Sequence, residues 1–197
     1  MKPHTWHRAS QLSSYAEQHY SLSPEKRNLL YWCAAAAPKK PLFVEIGVCH
    51  GGTAMLLGYM AHCLDGRYVG IDNWSLEGSY EDVRRLLDSE DLTEPQVTLI
   101  VEDSTAMNTE EATKGYFIDL LLIDGGHQIG VVDKDCEKWI PRVAPGGLVA
   151  FDDYTAVPGL THEQDCHWAV RESAEKWSAE WETVGFWSGL LIRRKPA

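Results

Sequence analysis

Basic residues are scarce in this chain. Eighteen Lys and Arg face 29 Asp and Glu over 197 residues, a formal charge of −11 with His neutral. Affinity for phosphate backbones rests largely on Lys and Arg, so no nucleic-acid partner is expected. Docking on an anionic membrane is disfavoured for the same reason. Long apolar runs are also missing. The longest, 42–44 and 120–123, have the length of strands, far short of the roughly 20 residues of a membrane span. The opening residues Met1, Lys2, Pro3, His4, Thr5 and Trp6 lack the apolar stretch of a secretory signal. Cysteines number only five. They are spread over positions 33, 49, 63, 136 and 166 without a CxxC pair, which excludes a disulfide framework or a cysteine zinc site as the expected device and fits a reducing cytosol. Repeats, low-complexity segments and interdomain linkers are absent too.

What is present is a rhythm. Apolar residues make up 44% of the chain, enough for one buried core at this size. Two N-terminal segments read as helical; the clearer one opens on Ser23, Pro24 and Glu25 and runs toward Pro38. Strands are then expected at 42–46, 68–71, 97–101, 117–123 and 148–151. Helices are expected between them at 53–63, 80–87 and 131–143, with a short one before 117. Pro145, Gly146 and Gly147 read as a stop and turn. A helix over 162–177 and a hairpin of 181–187 with 190–194 about Ser188 and Gly189 complete the chain. Strands alternating with helices predict an α/β fold, with a mostly parallel sheet covered on both faces. Residues 1–39 read as a helical extension of the same domain, and 40–197 as its main body.

In such sheets ligands bind beyond the carboxyl ends of the strands. Glu45, Asp72, Asp103, Asp124, Asp152 and Asp153 all fall at or just past those ends. A lone Asp there caps a helix or closes a turn; six sharing one edge suggest a site. The turn from Glu45 to Thr53 carries Gly47, Gly51 and Gly52, and glycines between a strand and a helix let backbone approach a ligand closely. Its spacing is not G-x-G-x-x-G, which disfavours a dinucleotide. Asp72, with Asn73 and Trp74 behind it, suits the paired hydroxyls of a ribose, and Trp74 suits either stacking on a ring or packing. Asp124, Asp152 and Asp153 would repel one another without a cation, and an all-oxygen set favours Mg²⁺, Mn²⁺ or Ca²⁺. His127 follows in the same loop, where an imidazole could accept a proton near neutral pH. His50 reads as structural or at the cofactor's edge. His162, His167 and Trp168 lie near the substrate side of the last helix, and the other tryptophans read mostly as core.

At these residues the chain resembles the class I S-adenosylmethionine-dependent methyltransferases. The E-x-G turn, the acidic end of the second strand, and Asp103 with Ser104 match that pattern. The resemblance covers residues 40–195. It implies a Rossmann-like sheet of seven strands with a C-terminal antiparallel hairpin. It further implies that Glu45, Gly47 and Gly51 hold the methionine part of the cofactor, that Asp72, Asn73 and Trp74 hold the ribose, and that Asp103 and Ser104 hold the adenine, with Asp124 adjoining. The I-D-G-x-H and D-D-Y forms at 123–127 and 152–154 are similar to the macrocin O-methyltransferase, cephalosporin-hydroxylase-like and catechol O-methyltransferase-like metal-dependent branch. That likeness implies a divalent ion on Asp124, Asp152 and Asp153 and a general base at His127. The branch often has Glu where Asp152 stands, and the catechol-type enzymes often have Asn where Asp153 stands. The expected activity is O-methylation of a small molecule's hydroxyl. A metal-independent N- or C-methyltransferase and a non-catalytic S-adenosylmethionine-binding module are the alternatives, and the N-terminal helices offer a surface for a homodimer.

Overall fold

The computed structural model describes Arg8, Gln11 and residues 23–128, 130–155 and 167–197. The first expected helix and His162 lie outside the described residues. Seven strands form one sheet in the order β3-β2-β1-β4-β5-β7-β6. They are β1 (Leu42–Ile46), β2 (Arg67–Asp72), β3 (Val97–Val101), β4 (Ile118–Ile123), β5 (Val143–Phe151), β6 (Glu182–Trp187) and β7 (Leu190–Arg194). The first five run parallel, and β7 is antiparallel to β5 and β6. The chain winds outward from β1 to β3 and then returns to place β4 on the other side of β1. The order therefore reverses between β1 and β4, where a crevice opens at the strands' carboxyl ends.

The strands are apolar on both faces because both faces are covered. Along β1, Leu42, Val44 and Ile46 join one core, and Phe43 the other. On the Phe43 side lie α1 (Pro24–Ala35), α2 (Gly52–Cys63) and α3 (Tyr80–Asp88). On the opposite side α5 (Val131–Trp139) and α6 (Trp168–Ser178) pack through Val132, Cys136, Trp139, Val170 and Ala174. A short α4 (Thr109–Thr113) precedes β4. Helix α1 starts as its sequence dictates: Ser23 Oγ accepts from the Lys26 N–H at 3.3 Å, with Pro24 in the first turn. Ser188 and Gly189 both have positive φ, the geometry that a two-residue hairpin turn requires. No helix among the described residues is long and apolar enough to cross a membrane.

The expected helix over 131–143 is shorter than its pattern. It ends at Trp139, passes through a 3-10 turn, Ile140–Arg142, and Val143 already belongs to β5. Pro141 is the reason, since it has no N–H to donate to the preceding turn. Nor do Pro145, Gly146 and Gly147 end an element. They form an irregularity within β5: Val143 pairs with Ile118, and pairing resumes at Leu148 with Leu120. A Cβ on Gly147 would lie 2.9 Å from Ala144 O and 3.0 Å from Ile118 O, so a glycine lets the strand pass there. Two tryptophans lie outside the core. Trp32 and Trp187 are each 62% exposed, because Trp32 falls off the buried stripe of α1 and Trp187 ends the edge strand.

Trp139 is fully buried and donates from Nε1 to Ser104 O at 3.1 Å, tying α5 to the loop after β3. Trp139→Ala is expected to lower stability by about 3–5 kcal/mol, read as a drop in the urea midpoint, and to loosen the Ser104 loop.

Candidate functional site

Backbone hydrogen bonds carry the sheet one step past the strands. Gly47 N–H donates to Ile71 O (2.9 Å), Asp124 N–H to Ile46 O (2.8 Å) and Asp152 N–H to Ile123 O (3.0 Å). These bonds set the acids on the sheet's edge. A cavity of about 540 Å³ opens beside them, lined among others by Gly47, Asp72, Asn73, Asp103, Ser104, Asp124 and His127. Gly47 on its wall has no room for a side chain. Its φ is +88°, and a Cβ there would lie 2.1 Å from Asp124 O, so the turns after β1 and β4 touch through a glycine.

Several expected ligand residues turn out to build the cavity's frame. Asp72 Oδ2 accepts from the N–H groups of Val48 (2.9 Å) and Cys49 (2.8 Å), and Oδ1 from that of Trp74 (2.7 Å). The carboxylate has about four lone-pair positions, so one remains for a ligand. Asn73 Oδ1 accepts from Ser75 N–H at 3.0 Å. Asp103 Oδ1 accepts from Thr105 N–H (2.8 Å) and Oγ1 (2.7 Å), which hold it below the usual carboxylate range. Ser104 Oγ donates to Asp135 Oδ1 at 2.6 Å. Burial pushes Asp135 up to about 6.

Glu45, Gly51 and Trp74 do not line the cavity. Gly51 precedes α2 with a φ of +83°, and a Cβ there would meet Val83 at 2.9 Å. Trp74 donates from Nε1 to Cys49 O at 2.9 Å and packs edge-on against Tyr80. Glu45 is buried behind the turn, where Tyr68 Oη donates to it. Burial pushes its carboxyl up to about 8. His50 Nε2 is 3.8 Å from Glu77 Oε2 at the rim.

The three clustered aspartates do converge. One carboxylate oxygen from each of Asp124, Asp152 and Asp153 lies within 4.8 Å of the other two. Burial, then the neighbouring acids, raise Asp124 well above its ordinary range. Burial also raises Asp152. Sequence reasoning missed the cation that faces them. Lys26 of α1 is buried, with Nζ 2.6 Å from Asp152 Oδ1 and 3.4 Å from Asp153 Oδ1. Burial opposes its charge, but the two carboxylates outweigh that and hold the ammonium above its usual range. A signal did exist: Lys26 shares the helical stripe of Leu30, Cys33 and Ala34, all buried. On the other side of Asp153, His127 Nε2 lies 3.3 Å from Oδ2 and His167 Nδ1 3.7 Å from it.

Glu45 yields a stability prediction. Its carboxyl is neutral in the fold up to about pH 8, against an ordinary value of 4.5. The folded state therefore holds the extra proton between those limits, and the group's contribution falls as pH rises through that window. Glu45→Gln removes the term. Urea unfolding is expected to show the wild type losing stability relative to Glu45→Gln between pH 5 and pH 8. A constant difference across that range contradicts the assignment.

Residues 44–154 match the family model described as a methyltransferase domain. No curated protein matches the chain. Among solved structures, it is similar to cofactor-bound Rv0187 from MTB, with 18% identity, 98% of this chain and 90% of that one covered, and a TM-score of 0.70. The O-methyltransferase from Bacillus cereus in complex with S-adenosylhomocysteine (SAH) is 18% identical, with 99% and 92% covered and a TM-score of 0.63. The O-methyltransferase TomG from Streptomyces achromogenes, involved in tomaymycin synthesis and solved with S-adenosylmethionine (SAM), is 16% identical, with 99% and 91% covered and a TM-score of 0.64. The expected seven-stranded sheet with its terminal hairpin is the fold these structures share. With more than half of its length inside the family model, the chain belongs to the methyltransferase-domain family and is a class I S-adenosylmethionine-dependent methyltransferase.

Proposed function

We propose that this enzyme methylates a hydroxyl oxygen of a small molecule with the help of a divalent ion. The observation that carries this reading is the convergence of Asp152 and Asp153 on Asp124, which lines the cavity, with the His127 imidazole beside Asp153. The three carboxylates fit a hard ion such as Mg²⁺ by their chemistry. Asp152 Oδ1 is buried without a well-oriented hydrogen bond, although Lys26 lies within ion-pair range, and that one ammonium pairs with only two of the three carboxylates. A bound ion would supply Lewis acidity that makes the acceptor's hydroxyl easier to deprotonate.

The chain's own residues do the rest. The turns at Gly47 and Asp124 fix one end of the cavity, so the acceptor oxygen and methyl donor meet in a set direction. As the new C–O bond forms and the donor's C–S bond breaks, the hydroxyl proton passes to His127 Nε2. That nitrogen lies 3.3 Å from Asp153 Oδ2, beside the acids. The −11 charge supports a small-molecule acceptor over nucleic acid. Cys33, Cys49, Cys63 and Cys136 are free thiols, which supports a reducing, cytoplasmic setting. The N-terminal helices, with exposed Trp32 on α1, are the proposed surface for a homodimer. A second reading, metal-independent methyl transfer, draws on Lys26, which already places a positive charge among the acids.

Methyl transfer to a panel of sugar, phenol and natural-product hydroxyls, with and without chelator, tests the proposal. Chelation is expected to abolish turnover and Mg²⁺ to restore it; full activity in chelator selects the second reading. His127→Ala is expected to lower kcat by about 10²-fold or more while S-adenosylhomocysteine binding, followed by calorimetry, persists. Cofactor binding without turnover on any acceptor would instead indicate a non-catalytic module.

A further inference from the structure

Asp153 presents its two oxygens to two different environments. Oδ1 faces Lys26 and Oδ2 faces a pair of imidazoles. One donor atom from each of His127, Asp153 and His167 lies within 4.8 Å of the other two. His127 Nε2 is 3.3 Å and His167 Nδ1 3.7 Å from the shared oxygen. Ligands on one ion at bond lengths of about 2.0–2.2 Å sit roughly 3–3.4 Å apart, so this triangle needs little adjustment. The rings stack at 5.3 Å between centroids and 29° between planes. His127 Nε2 is also buried without a hydrogen bond of acceptable geometry, a polar atom facing the triangle with its bonding capacity unmet. His167 is anchored to the same residue, since its Nδ1 donates to the Asp153 carbonyl oxygen at 3.0 Å. Binding through that nitrogen exchanges this bond for the ion.

We propose that His127, Asp153 and His167 form a second cation site, sharing only Asp153 with the three-aspartate set, which takes a borderline transition ion such as Zn²⁺ or Co²⁺ and inhibits the enzyme by occupying His127. Ligand chemistry separates the two sites. Imidazole suits zinc, cobalt, nickel and copper, whereas carboxylates alone suit magnesium, calcium and manganese. The two sets share Asp153, whose Oδ2 faces the imidazoles while Oδ1 faces the Lys26 ammonium, and differ in their other ligands. An ion on His127 holds the lone pair that would accept the hydroxyl proton. The inhibitory half of this inference rests on the proposed role of His127 as base; the binding half stands without it.

The test is calorimetric titration of the full-length protein with Co²⁺ and, separately, with Mg²⁺, while Co²⁺ visible absorption reports nitrogen ligation. His167→Ala is expected to weaken Co²⁺ binding by at least about the 10- to 100-fold that loss of an outer-shell partner costs. It should also alter the absorption band and leave Mg²⁺ affinity unchanged. His167→Gln, closer in volume, should behave the same way, and circular dichroism checks that both variants fold. Asp124→Asn is expected to show the reverse pattern. Unchanged Co²⁺ affinity in both His167 variants, or Co²⁺ binding lost in Asp124→Asn instead, overturns the site. Co²⁺ binding as described without inhibition of methyl transfer overturns the inhibitory half. Methyl transfer found to be independent of any metal sinks the reading above but leaves the Co²⁺ result to decide the site.

Discussion

Crowded negative charge at the end of a buried sheet is the constraint on which the rest of this structure turns. Glu45, Asp124, Asp152 and Asp153 gather where β1, β4 and β5 end, and burial raises Glu45, Asp124 and Asp152 above their ordinary ranges. The fold meets this load with three different devices. Glu45 keeps its proton and accepts from Tyr68. Asp152 and Asp153 face the ammonium of Lys26. Asp153 adds two imidazoles on its other side. Each device recruits a different layer: β2 through Tyr68, α1 through Lys26, and the chain entering α6 through His167. The acids thus organise the elements around them as well as any chemistry they perform.

Asp72 and Gly47 show a second principle. A carboxylate that resembles a ribose ligand gives most of its lone pairs to three backbone N–H groups of the glycine turn and its own loop. A glycine that resembles a ligand contact is needed because another turn presses on it. Building the pocket and touching the ligand are therefore overlapping tasks here. A residue that shapes the turn also decides how close a cofactor can come.

Much of this could be read from the residues. Strand ends, the glycine turn and the aspartates at 124, 152 and 153 were legible because apolar runs of strand length stop on an acid or a glycine, a local signal. Helix α5 was overextended because Val143 continues its apolar periodicity while Pro141 breaks it. The irregularity in β5 was hidden because proline and glycines mark turns in most settings, and only the partner strand reveals that the chain stays paired. Neither Lys26, despite its stripe of buried neighbours, nor His167, read only as lying on the substrate side, was legible as a partner of the acids, for a shared reason. Each reaches the acids through tertiary packing of a separate helix, and one lysine in a first helical turn reads as solvated until the face it occupies is known to be buried.

The Lys26–Asp153 contact spans 127 positions of the chain. During synthesis at about 5–20 residues per second, the lysine emerges roughly 6–25 seconds before its acidic partners exist. Charge therefore has no part in placing α1 during that interval. The helix must be recruited by its apolar stripe, Leu30 and Ala34 against the Phe43 face, with the ammonium arriving at an address that its hydrophobic neighbours have already chosen. The ion pair that closes the acidic end of the sheet then forms on a helix already in place.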